Sequence, residues 1–396
     1  MSPDVIYLDG NATTRPAPAV LDAVVAAMRD GWGNPSSVHR AGGEAKRIVE
    51  LARESVAQLV GCQPREITFT SGGTESVNLA ICGSLQHLMA ADARRRVIVT
   101  TRFEHSAVRE TAEQLERSGA EVVWLEGDPL RPGTPDLNSL AVLLRTRHPE
   151  IAVVSFMWAN NETGAITDIA RAGSLCREYG VRFHTDATQW VGKMPTDFAS
   201  LQLDLASFAA HKFHGPKGAG ALYTRRGIRI TPQLIGGPQE RERRGGTENV
   251  PAIAGFGVAA ELARQWLESG ASLTAALLRD NFEQRVTSST GSVAHAASTP
   301  RLWNTTNIGF ARLEAEAILL VLSERGVFAS AGAACSSGSL DPSPVLLAMN
   351  IAPVVAHGSI RFSLSRDSTA DECMRGAEIV TAAIRKLRTS SADVLP

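Results

Sequence analysis

Four short segments carry residues whose type and spacing could do covalent chemistry. In SFAAHKFHGPKGAG, residues 207–220, Lys212 follows an apolar run and precedes a glycine-rich turn. At a strand end, desolvation or nearby cations can lower a lysine's pKa and free the amine to form a Schiff base. Only five of the 40 basic residues are lysines, so few others compete for that role. In FHTDATQW, Asp186 stands at the end of a candidate strand over 181–185, and Gln189 follows three residues later. A carboxylate there can keep a pyridine nitrogen protonated, and the amide can donate to a ring oxygen. EITFTSGGTESVNLA places Gly72, Gly73 and Thr74 between a strand and a helix, where free N–H groups and the helix dipole converge on an anion. FASAGAACSSGSLDPS sets Cys335 among glycine, alanine and serine, a composition that predicts an accessible thiol in a mobile loop. Amine, carboxylate and anion cup together are what pyridoxal phosphate requires, with a nucleophilic thiol beside it.

Singly, each segment has a plainer reading. Lys212 could be an exposed surface lysine, Asp186 a helix cap, the Gly-Gly-Thr turn any tight connection, and Cys335 a chance residue. The turn lacks the GxxxxGK[ST] pattern of a nucleotide-binding loop, which counts against an ATPase. His211 and His214 are too closely spaced, and too far from any carboxylate or cysteine cluster, to predict a metal site. Cys62, Cys82, Cys176 and Cys373 lie in helical or turn contexts where inert burial is expected.

The elements that must position these residues alternate along the first two thirds of the chain. Strands are predicted over 66–70, 96–101, 121–125, 151–156, 181–185, 204–207 and 220–224, with helices over 75–90, 106–118 and 169–179. Such alternation calls for a mainly parallel sheet covered on both faces, with ligands at the carboxyl ends of the strands. After about residue 250 two long helical stretches, 252–269 and 273–287, lead into an α+β segment with strands in RLWNTTNIGF and GSIRFSLSR. The division expected is a larger domain over 15–255 and a smaller one from 1–14 with 256–396, the latter carrying the cysteine loop at about 326–340.

At 396 residues, 44% apolar and 20% charged, the chain can bury substantial cores. Its net charge of −1 argues against nucleic-acid binding, which needs a basic excess. The densest basic cluster, Arg241, Arg243 and Arg244, is interleaved with Glu240 and Glu242. The first residues lack a basic start followed by an apolar run, so no secretory signal is expected, and the longest apolar stretch is far too short to span a membrane. Five cysteines without a CxxC pair fit neither a disulfide framework nor a zinc site, and a reducing cytoplasm is the expected compartment.

Taken in order, YLDGNATT, GNPSSVH, FTSGGTES, EHSAV, MWANNETG, FHTDATQ, HKFHGPKG, RRGGTENV, ACSSGSLDPS and RFSLSR cover nearly the whole chain and closely resemble the NifS/IscS-type cysteine desulfurases. These belong to the class V aminotransferases among fold-type I pyridoxal-phosphate enzymes. The resemblance implies an α/β fold with a mainly parallel seven-stranded sheet plus a smaller α+β domain. It implies that L-cysteine is converted to L-alanine, the sulfur passing to Cys335 as a persulfide for an acceptor such as an iron–sulfur scaffold. Lys212 would carry the cofactor and His105 would stack on its ring. Asp186 would pair with the ring nitrogen and Gln189 with the ring oxygen. Gly73, Thr74, Ser207, His211 and Thr247 would complete the cofactor's surroundings, with Thr247 reaching a partner subunit in a homodimer. Asn161 and Arg361 would hold the substrate carboxylate, Arg361 as a bidentate clamp. One departure is Ala209, where many relatives carry serine; it removes a hydroxyl donor from the phosphate site. A dedicated loop cysteine disfavours an aminotransferase, which needs no thiol.

Overall fold

A computed structural model describes residues 5–332 and 342–392. The chain enters through a short strand, β1 (Ile6–Tyr7), and two helices, α1 (Pro18–Asp30) and α2 (Arg40–Val60). The alternating region then supplies β2 (Ile67–Thr70), α3 (Gly73–Ala91), β3 (Val97–Thr101), α4 (Ser106–Arg117), β4 (Glu121–Leu125), α5 (Leu137–Arg147), β5 (Ile151–Met157), α6 (Ile169–Glu178), β6 (Arg182–Asp186), β7 (Leu205–Ala209) and β8 (Gly220–Thr224). These form one seven-stranded sheet in the order β2-β8-β7-β6-β5-β3-β4. Every neighbouring pair is parallel except the two that involve β8.

The predicted fold class therefore holds, with shifts of one or two residues at several strand ends. Every residue of β5, IAVVSFM, is buried, the continuous apolar run of a strand covered on both faces. On one face, α7 (Val250–Glu268) packs with α1 and α2 over a core that includes Val49, Val56, Phe69, Phe208 and Phe256. The other face is covered by α3 and α4 through Val77, Ile81, Ile98 and Val108.

A second core forms from Ile6, Leu8, Phe282, Ile308, Phe362 and Ile384. Its frame is α8 (Ala271–Thr290), β9 (Val293–Ala294), β10 (Thr305–Gly309), α9 (Ala315–Glu324), β11 (Val327–Phe328), β12 (Ser359–Ser363) and the C-terminal helix Ala370–Ala392. Here β10 pairs antiparallel with β9 and β12, while β1 runs parallel to β11. Residue 255, the expected limit between domains, falls inside α7, whose buried Phe256, Ala259 and Ala263 belong to the first core.

Candidate active site

The carboxyl ends of β5, β6 and β7 and the amino ends of α3 and α4 meet around a cavity of about 210 Å³. Its wall includes Gly73, Thr74, His105, Asn161, Asp186, Gln189, His211 and Lys212, eight residues that the sequence singled out from five segments. Gly220 helps to close this end of the sheet. A Cβ there would lie 2.5 Å from the Gly72 carbonyl carbon, so only glycine lets the start of β8 touch the turn that launches α3.

Lys212 ends a short 3-10 turn that follows directly on β7. Its Nζ donates to the main-chain oxygens of Asn11 and Ala12, both at 2.8 Å. His105 caps α4: its Nδ1 accepts from the Ala107 N–H at 3.1 Å, so the neutral ring carries its proton on Nε2. Asp186 accepts from the Thr188 N–H at 3.0 Å, and the following turn is braced by Trp190 stacked on Trp158, centroids 4.3 Å apart. Beside them, His211 is held neutral: burial pushes its pKa down to about 3, with Lys212, Lys217 and Lys193 adding to the shift.

Three expected residues stand elsewhere. Ser207 lies on the same face of β7 as Ala209 but two residues deeper, about 7 Å along the strand. Its hydroxyl bonds His184 Nε2 at 3.1 Å and reaches Asp186 Oδ1 at 3.4 Å, beneath the cavity rather than in its wall. Thr247 is exposed. Arg361 is 2% exposed in β12; its Nη2 pairs with Asp9 at 2.7 Å and its Nη1 donates to the Asn161 carbonyl at 3.1 Å. Asn161 thus links the buried guanidinium to the cavity. Cys335 lies outside the described residues.

Several residues that the sequence left unmarked complete the surroundings. Asn11 accepts from Lys212 and Gln189 through its carbonyl, and from Lys193 and Asn304 through Oδ1. Lys193 is buried; desolvation, then Lys212 and Arg361, hold its amine far below the ordinary lysine range. Glu104, next to His105, is buried with Oε1 on the Met157 N–H at 2.7 Å, and desolvation pushes its pKa well up. Thr188 was the one residue with a local cue, two positions after Asp186.

The cavity suits pyridoxal phosphate. Two buried oxygens at its wall, Thr188 Oγ1 and Asn161 Oδ1, have no hydrogen-bond partner among the described residues. The amino end of α3 offers N–H groups to a phosphate, and a carboxylate and an amine stand at the wall for the ring and its aldehyde. At Ala209 the wall presents a methyl group where a serine hydroxyl was the alternative. Among the described residues no cluster of three or more His, Cys, Asp or Glu could hold a metal ion.

A parallel α/β sheet with an amine and a carboxylate at the ends of adjacent strands defines a transferase of fold type I. The chain belongs to the class V aminotransferase family, whose model matches residues 6–375. It is 45% identical to the cysteine desulfurase of Nostoc sp. over 388 residues, 98% of this chain and 94% of that one. To the cysteine desulfurase NifS of Azotobacter vinelandii it is 44% identical, over 98% of this chain and 94% of the other. A solved NifS-like protein superposes with a TM-score of 0.87 at 35% identity, covering 96% of this chain and 99% of that one.

Proposed function

We propose that this chain is a pyridoxal-phosphate-dependent cysteine desulfurase, which moves the sulfur of L-cysteine onto Cys335 as a persulfide and releases L-alanine. The observation that carries this reading is the convergence of Lys212, Asp186, His105 and the amino end of α3 on one cavity.

Lys212, Asp186, Gln189, His105, His211, Gly73, Thr74 and Thr188 are the residues that would hold the cofactor. When bound, pyridoxal phosphate supplies an electron sink that acidifies the substrate's α-proton and labilises its carbon–sulfur bond. Asp186 keeps the ring nitrogen protonated. Gln189 has one Nε2 proton on the Asn11 carbonyl at 3.0 Å, leaving the other for the ring oxygen. The Lys212 amine takes the α-proton as general base. Arg361 and Asn161 receive the substrate carboxylate, with Asp9 yielding one face of the guanidinium to it. The Cys335 thiolate attacks the substrate sulfur, a sulfur–sulfur bond forming as the carbon–sulfur bond breaks.

The assignments of Ser207 and Thr247 stay part of the proposal, Ser207 acting from below through Asp186 and Thr247 from the exposed face towards a second subunit. A homodimer is supported by α1, which leaves Leu21, Val25 and Met28 exposed, with Trp32 just beyond its end. Two domains, 15–255 and 1–14 with 256–396, are supported by the second core, with α7 bridging both. A cytoplasmic setting is supported by the free thiols of Cys62, Cys82, Cys176 and Cys373, and no helix among the described residues is long and apolar enough to cross a membrane. The sulfur acceptor is proposed to be a protein such as an iron–sulfur scaffold.

The decisive experiment supplies L-cysteine to the holoenzyme and measures alanine and sulfide together, with mass spectrometry of the Cys335 peptide. Equal alanine and sulfane sulfur, with 32 mass units added at Cys335, is the expected result. Alanine without a modified Cys335 would remove the thiol from the mechanism.

A further inference from the structure

We infer that a recessed cavity at the pole of the sheet opposite the active site binds a small phosphate-bearing anion through Arg182, Arg95, Arg177 and Arg225. The cavity measures about 150 Å³. Arg182 opens β6, Arg95 precedes β3, Asp204 precedes β7, and the antiparallel direction of β8 brings Arg225, just past its end, to the same pole. Arg182 and Asp186 are the two ends of one strand, about 13 Å apart at the rise of an extended chain. The cofactor's anion cup is therefore a separate place.

Charge does not balance here. Four arginines line the cavity against one carboxylate, Asp204. That carboxylate is engaged: one oxygen pairs with Arg225 and the other accepts the Phe183 N–H at 2.9 Å. Arg177 donates to Gln202 at 3.1 Å and Arg95 to the Ile151 carbonyl at 3.3 Å, both neutral acceptors. Arg182 is only 9% exposed, and its side chain has no hydrogen bond or ion pair among the described residues. Its Nη1 and the Arg225 Nε are sealed from solvent without a partner.

A buried guanidinium that has no bonded partner among the described residues, and shares its one nearby carboxylate, Asp204, with three other arginines, is costly, and removing one charge of such a set should relieve rather than harm the fold. The carboxyl end of α6 adds roughly half a negative charge nearby, well short of the excess of three. A tetrahedral oxyanion fits what remains, since guanidinium forks match its oxygens in pairs. The small recessed volume limits the ligand to free orthophosphate or the phosphate of a small phosphomonoester.

The test uses the holoenzyme, so that the cofactor already fills the active-site anion cup. Sodium orthophosphate and, separately, glucose 6-phosphate are titrated against chloride at constant ionic strength, followed by thermal unfolding and by ³¹P line broadening. The expected result is a saturable rise in Tm that Arg182→Met weakens at least tenfold, while the exposed control Arg117→Met leaves it unchanged. Arg182→Met should also raise the Tm measured without phosphate. Saturation with orthophosphate alone assigns the free ion; saturation with both assigns a phosphomonoester site. No saturable response, or an undiminished one in Arg182→Met, overturns the inference. If that variant does not fold, Arg182 is a structural counter-charge and the inference also fails unless Arg95→Met, folded, shows the tenfold loss.

Discussion

Lys193 donates from Nζ to the Gln189 side-chain oxygen at 2.6 Å and to Asn11 Oδ1 at 2.7 Å, so a buried amine fixes which end of the Gln189 amide can turn to the cavity. No carboxylate bonds this amine among the described residues, and desolvation is the main force lowering its pKa. A neutral amine still has two protons for these two acceptors.

Replacing Lys193 with Met should leave the fold standing, because the substitution removes a buried amine and keeps its volume. Gln189 loses the donor that holds its oxygen and keeps only the Nε2 bond to the Asn11 carbonyl, so its amide is held less firmly. Desulfurase turnover should fall about tenfold, the effect of roughly one hydrogen bond, and the visible band of the bound cofactor should shift. An unaltered spectrum with normal alanine release would show that Gln189 is positioned without Lys193.

Arg361→Lys keeps a positive charge but loses the planar fork. With about 1.5–3 kcal/mol in a charge-assisted contact, KM for cysteine should rise roughly 10- to 100-fold, with a smaller change in kcat. Asp9→Asn weakens the carboxylate's hold on the guanidinium that the substrate must displace, and should produce a milder change in the opposite direction. Steady-state kinetics on both variants check this.

Lys212→Ala should remove the covalent attachment of the cofactor, read by mass spectrometry after borohydride reduction of the enzyme. Cys335→Ser should keep the cofactor and its absorbance while sulfide release stops. Attachment surviving in Lys212→Ala would mean that another lysine serves, and sulfide release surviving in Cys335→Ser would exclude that thiol.

His184 is fully buried between Ser155 Oγ at 2.8 Å and Ser207 Oγ at 3.1 Å, and burial depresses its pKa to about 4. An unfolded chain holds a proton on this ring below about pH 6.5, where the folded one does not. Stability contributed by the neutral ring is therefore present above pH 6.5 and is lost as the pH falls from there towards 4. Denaturant unfolding should show that loss, and His184→Asn should flatten it by the order of 1–3 kcal/mol.

The parts of the architecture that could be read in advance are those with a local signature. The buried run of β5 announces a central strand, and Asp186 and Lys212 stand out because each is a charged residue at the end of a predicted strand. Ser207 shows where such reading stops: its strand face was right, but depth along the strand decides whether a hydroxyl meets the cavity or lies under it. Asn11 could not be read locally, since its side chain's partners lie 150 to 294 residues away, and Lys193 only in part, since Gln189 is four residues off but Asn11 is 182. The start of α2 is disguised by Gly42 and Gly43; at Gly42 a Cβ would sit 2.3 Å from the Ser37 oxygen, so close packing set the residue against helix propensity.

Asn11 precedes all its partners in the chain: among the described residues its side chain bonds Lys193, Asn304, Thr305 and the Asn161 carbonyl. A chain made only as far as Lys212 has no Asn304 or Thr305 to offer. Because the Asn11 carbonyl is also the rest for Lys212, the setting of that amine is complete only once a segment 293 residues further along has folded back onto Asn11.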